Sequence, residues 1–426
     1  MGQSDVKGAA VYSAVSPLNK GIGLMYEALE PGEIAGLGWN LLKEDVSLPC
    51  AVLYEEKLRH NLEWMREFIK AYGVQFAPHG KTTMSPRLFQ MQLESGAWGI
   101  TLATAHQSLV AWRYGVSRVL MANQLIGKHN MAIISHLLDD PGFTYYCLVD
   151  SAEQVEQLGA FFGARKQRLQ VLLELGVMGG RTGVRDEEQL QAVLGAIAAW
   201  DKSIALCGVE VYEGVLEDEE SIRVFLKRAV EMTRRLIAEK RFASAPVLLS
   251  GAGSAWYDVV AEEFSAAELG EGVEIVLRPG CYLTHDVGSY RKAQARILEK
   301  NPIARKMSSG LVPALHVWAY VQSMPENEKA IIGMGKRDAA FDSGLPTPAL
   351  HYRPGEAAPK AAPAHWSLTK MMDQHAYMQI GGRDEVRVGD MIGFDISHPC
   401  LTFDKWRVLN VVNERFDVVD VMRTYF

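Results

Sequence analysis

The chain has 426 residues, 48% hydrophobic and 22% charged, with 44 Lys and Arg against 51 Asp and Glu, a net charge of −7. That is ordinary for a globular protein and long enough for two domains, or for one barrel with an added domain. Mild acidity without a basic block argues against a nucleic-acid partner and against an anionic membrane surface.

Five widely spaced cysteines, Cys50, Cys147, Cys207, Cys281 and Cys400, predict a reduced cytoplasmic protein and not a disulfide scaffold. Met1–Leu18 lacks a charged start followed by an apolar core, so no signal peptide is expected. No apolar run has the length of a membrane span.

Along the chain, Pro49–Tyr54 precedes the first long helix and is expected to pair outside the region that follows. Eight short runs then read as buried strands: Val74–Pro78, Gly99–Thr104, Arg118–Asn123, Phe143–Val149, Leu169–Leu175, Leu206–Tyr212, Pro246–Ser250 and Val273–Leu277. Most are nearly continuous apolar stretches, as parallel strands covered on both faces require. Amphipathic segments separate them. In Glu217–Lys240, Ile222, Phe225, Leu226, Ala229 and Val230 recur at helical spacing. Asp150-Ser151 followed by Glu153 reads as another helix start. This alternation predicts a (β/α)8 TIM barrel, although an open doubly wound sheet satisfies it too.

After about residue 286 the pattern changes to strands: His316–Met324, Lys329–Gly335, Met391–Ile396, Arg407–Val412 and Phe416–Arg423. Long helices are not expected there. Five prolines in Leu345–Pro363 predict a surface loop or excursion. The expected organisation is an α/β barrel over residues 55–285 and a β-rich domain from residues 1–54 plus 286–426.

Candidate chemistry falls at strand ends, the face where barrels carry active sites. Lys81, in Pro78-His79-Gly80-Lys81-Thr82, follows the first strand, where partial desolvation would favour a free amine able to form an imine. Gly-rich turns follow the seventh and eighth strands: Ser250-Gly251-Ala252-Gly253-Ser254 and Arg278-Pro279-Gly280-Cys281-Tyr282. Their N–H groups can close on a phosphate. Arg181 after the fifth strand and Tyr212 ending the sixth can anchor a phenolate or carboxylate, or make a structural hydrogen bond. His398-Pro399-Cys400, read as extended, would turn an imidazole and a thiolate to one side, a pair suited to Zn²⁺; a structural His beside a buried Cys is the alternative.

Together these motifs resemble the fold-type III, alanine racemase-like pyridoxal-phosphate enzymes, and within them the D-serine dehydratase and D-threonine aldolase group. Thr83, where many of that group carry a histidine, and Leu175-Gly176, where relatives are often acidic, resemble the bacterial amino-acid deaminase branch. The resemblance implies that Lys81 carries pyridoxal 5'-phosphate as a Schiff base. His79, Arg181, Tyr212, Gly253, Ser254, Arg278, Gly280, Cys281 and Tyr282 would line the cofactor, and His398 and Cys400 would bind Zn²⁺, with Mn²⁺ or Mg²⁺ as alternatives. Arg278 matches the arginine that alanine racemases direct at the pyridine nitrogen.

The implied activity is that of a lyase converting a D-3-hydroxy amino acid such as D-serine to a 2-oxo acid and ammonia, with Lys81 and Arg181 as its catalytic residues. The partner is then a small-molecule D-amino acid and the assembly a homodimer. D-threonine aldolase chemistry is the first alternative. In that group the aldolases pair the histidine with an aspartate, where this chain has Cys400. A racemase and a non-catalytic pyridoxal-phosphate carrier are the others.

Overall fold

The computed structural model describes residues 14–253, 255–307 and 309–426; Ser254, expected in a phosphate loop, lies outside them. The described residues form two compact units. One comprises Arg66–Lys81 and Phe89–Gly280; the other comprises 14–65, Thr82–Leu88 and Cys281–Phe426.

Strand β1, Cys50–Tyr54, belongs to the second unit. The first unit holds eight strands: β2 Gln75–Phe76, β3 Ile100–Leu102, β4 Arg118–Gln124, β5 Thr144–Val149, β6 Leu169–Leu175, β7 Ile204–Val211, β8 Val247–Gly251 and β9 Val273–Leu277. All pair in parallel in the order β2-β9-β8-β7-β6-β5-β4-β3. A bridge between His79 and Thr101 joins the two ends of that series, so the sheet curls shut as a barrel. The open-sheet alternative is thereby excluded. Every residue of β7 is buried, as a strand covered on both faces must be. Gly208 follows a bulge in β7; a Cβ there would lie 2.0 Å from the Leu248 carbonyl oxygen, so only glycine lets β7 and β8 pair here.

Helices return each strand to the start of the next. Glu219–Ala238 buries Ile222, Phe225, Leu226, Ala229 and Val230, the stripe its spacing predicts, and Asp218 caps it by accepting from Ser221 N. Ser151 caps Ala152–Gly163 in the same way through Gln154 N. In the barrel unit Ala77, Leu120, Leu148, Leu172, Cys207, Leu248 and Val276 form one buried cluster.

In the second unit nine more strands follow: β10 Leu315–Glu326, β11 Lys329–Ile332, β12 Thr347–Tyr352, β13 Lys360–Ala361, β14 Ser367–Met371, β15 Ala376–Gln379, β16 Met391–Asp395, β17 Val408–Val412 and β18 Val418–Arg423. The main path runs β13-β12-β16-β10-β1-β17-β18, with β11, β15 and β14 branching from β10. Thus Cys50–Tyr54 of the Pro49–Tyr54 run does pair here, antiparallel to β10 and parallel to β17.

Two expectations for this region are corrected. The proline-rich stretch is not simply a loop, because it supplies β12 and β13. Pro348 is tolerated at a register shift, where the ladder does not need its missing N–H. Ser289–Lys300 is a 12-residue helix in a region expected to lack long helices; its many charged residues concealed a narrow buried stripe through Gln294 and Ile297. Among the described residues no helix is long and apolar enough to cross a membrane.

Candidate active site

In the barrel unit, alternation along the strands builds the site. Side chains two residues apart share a face, so the residues two positions past the apolar cluster point inward at the strand ends. From Ala77, Ala122, Leu172, Leu248 and Val276 this step reaches His79, Gln124, Glu174, Ser250 and Arg278; Glu210, level with Glu174 and Ser250 in the sheet, completes the layer. An apolar layer is capped by a polar one.

Arg278 is nearly inaccessible; its Nε donates to Ser250 Oγ at 2.9 Å and its Nη2 to the Val211 carbonyl at 3.1 Å and to Glu210 Oε1. Burial lifts Glu210 to about 8, against the pull of Arg278. Among the described residues Glu210 Oε2 and His79 Nδ1 are buried without a hydrogen-bond partner. Burial, and then the charges of Arg278, Lys81 and Arg181, hold His79 neutral by pushing its pKa well down. Glu174 accepts from Gln124 and from Thr182 Oγ1, and burial raises its pKa.

Arg181 rides on the loop after β6. Arg185 Nη2 donates to the Gly180 carbonyl at 2.9 Å, Arg228 Nη1 to the Gly176 carbonyl at 2.8 Å, and Gly183 N to Asp150 Oδ2 at 2.9 Å. These bonds pin the loop while the exposed Arg181 guanidinium lies 4.2 Å from the Tyr212 ring centroid. Arg181 also borders an open cleft of about 430 Å³ with Asp150, Thr182 and Gln189. Ala252 adopts a left-handed φ of 67°, and its N–H donates to Glu213 at 3.0 Å. A Cβ on Gly253 would fall 2.7 Å from the Tyr212 ring. Lys81 sits in the 3₁₀ turn Gly80–Thr82 and is exposed. The desolvation expected from sequence is therefore not supplied by its protein neighbours.

The second unit contains the other candidate cluster. His398 is the extended N-cap of the short helix Pro399–Phe403, and Cys400 lies in that helix. The segment is thus not continuously extended, because Pro399 starts a helical turn. The two side chains are nevertheless in contact. The Cys281 contact first, and then the contacts with His398 and Thr82, hold the Cys400 thiol below its ordinary range. His398 rises to about 9 through Cys400 and then Asp342. Cys400 Sγ lies 3.4 Å from Thr82 Oγ1 and 3.7 Å from Cys281 Sγ. Among the described residues no group of three or more His, Cys, Asp and Glu donors converges as a metal site. Tyr282, beside Cys281, is buried.

Asp342 is the residue that sequence reasoning missed. Its Oδ2 lies 2.7 Å from His398 Nδ1. Thr402 fixes the pair's approach: its hydroxyl donates to the His398 carbonyl at 3.1 Å and accepts from Ala340 N at 3.1 Å. Only the 56-residue separation hid the contact. Glu210 and Glu174 were also missed, although the step of two from an apolar inward residue would have found Glu174.

The family described as "Alanine racemase, N-terminal domain" matches residues 54–279, more than half of the chain, and "Putative serine dehydratase domain" matches residues 314–412. The D-threonine aldolase of Arthrobacter sp is 25% identical over 377 residues, covering 87% of this chain and 90% of that one. The crystal structure of D-threonine aldolase from Filomicrobium marinum superposes with a TM-score of 0.73 at 21% identity, covering 91% of this chain and 97% of that one. The D-threo-3-hydroxyaspartate dehydratase of Delftia sp. gives 0.72 at 20% identity, covering 91% and 99%. Two solved variants of a D-threo-3-hydroxyaspartate dehydratase replace a histidine and, in a metal-free form, a cysteine two positions further on. With the closed barrel and the polar layer at its strand ends, these matches place the chain in the alanine racemase N-terminal domain family, the fold-type III pyridoxal-phosphate enzymes, among D-amino-acid dehydratase and aldolase relatives.

Proposed function

We propose that this lyase is a pyridoxal-phosphate- and metal-dependent dehydratase that converts a D-3-hydroxy amino acid such as D-serine to a 2-oxo acid and ammonia. The observation that carries the reading is His398, anchored through Nδ1 by Asp342 and touching the Cys400 thiol. A metal-binding histidine characteristically gives its second nitrogen to a carboxylate. The ligating atom is then Nε2, and imidazole with thiolate suits Zn²⁺ better than Mn²⁺ or Mg²⁺. The spacing also matches the histidine and cysteine altered in the D-threo-3-hydroxyaspartate dehydratase variants.

The barrel mouth fits the cofactor. It offers an amine, two guanidinium groups and two buried polar atoms awaiting partners, and the absent Cβ of Gly253 leaves backbone free beside Tyr212. Lys81 would hold the cofactor covalently. Gly253, Ser254, Gly280, Cys281 and Tyr282 would receive its phosphate, with His79, Tyr212 and Arg278 around the ring. When bound, pyridoxal phosphate supplies an electron sink for charge at Cα, and the cation would supply Lewis acidity at the β-hydroxyl.

The chain's own residues do the rest. Lys81, as a free amine, takes the proton from substrate Cα. Arg181 binds a carboxylate with a guanidinium that its Tyr212 contact keeps in place. Glu210, paired with Arg278, fixes that guanidinium at the barrel end. Asp342 orients His398. The reduced cysteines support a cytoplasmic setting, and the family resemblance supports a homodimer.

Retro-aldol cleavage is the second reading, favoured by the long match to the Arthrobacter D-threonine aldolase. D-serine, D-threonine and D-3-hydroxyaspartate should each be incubated with and without chelator, and 2-oxo acid plus ammonia counted against glycine plus aldehyde. Glycine as the sole product would overturn the dehydratase reading.

A further inference from the structure

Cys50, Cys147 and Cys207 are buried, whereas Cys281 and Cys400 are only partly covered. Although 119 residues apart in sequence, these two bring their sulfurs to 3.7 Å. A disulfide needs about 2.0 Å, so the gap must close by about 1.7 Å. The elimination chemistry uses no such pair.

We propose that Cys281 and Cys400 are an oxidation site that a hydroperoxide closes into an intramolecular disulfide. Cys400, whose sulfur lies 3.4 Å from Thr82 Oγ1, is the attacking sulfur in this proposal. With hydrogen peroxide, an S–O bond forms at Cys400 as the O–O bond breaks, and one water leaves with the thiol hydrogen. Cys281 then attacks the sulfenic sulfur; the S–S bond forms, the S–O bond breaks, and a second water leaves. Two thiols lose two electrons and two protons, and one peroxide becomes two waters. The consequence rests on the proposed metal reading: a disulfide sulfur is no thiolate ligand, so closure removes one of the two protein donors.

The test uses the protein loaded with pyridoxal phosphate and Zn²⁺, treated with hydrogen peroxide, denatured and alkylated. Of the five thiols, two should become unreactive, and a linked peptide pair containing Cys281 and Cys400 should appear, with both changes reversed by dithiothreitol. Cys281→Ser protein should give no such pair and should instead trap a dimedone adduct at Cys400. Five reactive thiols after peroxide, or Cys400 linked to another cysteine, would overturn the proposal. Zinc counted in the same samples separates the two claims. Release in step with the disulfide supports both, whereas a disulfide with zinc fully retained upholds the oxidation site and removes Cys400 from the ligand set.

Discussion

Replacing Asp342 by alanine should weaken Zn²⁺ binding while leaving the fold nearly as stable. Asp342 Oδ2 is 2.7 Å from His398 Nδ1, and the two side chains are 43% and 35% exposed. Water can stand in for so exposed a carboxylate, so the pair contributes only about 0–1 kcal/mol to folding. Its effect on the metal is different, because it selects the tautomer and ring orientation that present Nε2. Losing such an outer partner typically costs 10–100-fold in metal affinity, or about 1.4–2.7 kcal/mol. Asp342→Asn keeps an acceptor oxygen and should fall near the lower limit. Competition against a chromophoric chelator gives the affinity, and urea unfolding of the same samples gives the stability. Wild-type affinity in Asp342→Ala, within about twofold, would refute the argument that Asp342 orients a metal-binding histidine.

Lys81→Ala should abolish the imine absorbance band and borohydride-dependent labelling; a label that persists on another lysine would move the cofactor site. Cys400→Ala should retain the cofactor band but lose elimination from D-serine by orders of magnitude, since Lewis acidity contributes several kcal/mol to such steps; full pyruvate formation by the metal-free variant would make His398 and Cys400 structural. Glu210→Ala leaves buried Arg278 Nη2 without one of its acceptors and should cost about 1–3 kcal/mol in urea unfolding, with Glu210→Gln milder. Because the folded-state pKa of Glu210 is raised to about 8, its protonated form favours folding. That contribution is present below the ordinary carboxylate range and is lost as pH rises to about 8. The loss should be absent from the stability profile of Glu210→Gln, and identical wild-type and variant profiles would contradict the assigned burial effect.

The barrel was legible because each strand signals itself locally. Leu169–Leu175 and Val273–Leu277 are mainly apolar runs, broken only by Gln170, Glu174 and Glu274, and their observed limits match those read from sequence. The β-rich unit was harder, since its edge strands bury little. In β14, Ser367–Met371, only Leu368 and Met371 are buried, too sparse a signal for periodicity. Lys81 could be placed from its strand end, but its exposure depends on neighbours that no local pattern specifies. His398 and Cys400 drew attention by residue type. Asp342 did not, because a carboxylate near an exposed turn looks solvated until the chain folds it against His398.

Cost points to the same end of the barrel. A buried polar pair such as Glu210 with Arg278 can often be replaced by apolar residues without loss of stability, and sometimes with gain. Each buried polar atom without a partner, such as Glu210 Oε2 or His79 Nδ1, costs roughly 1–3 kcal/mol. One layer deeper, Leu172, Leu248 and Val276 incur no such cost. A scaffold shaped by stability alone would extend that apolar layer to the strand ends. Here the layer stops where side chains can reach a ligand, and the charged groups beyond it surround the position from which Lys81 and Arg181 act on the proposed reading. The unsatisfied atoms are therefore best explained as binding capacity, and a bound cofactor should stabilise the protein by giving them partners.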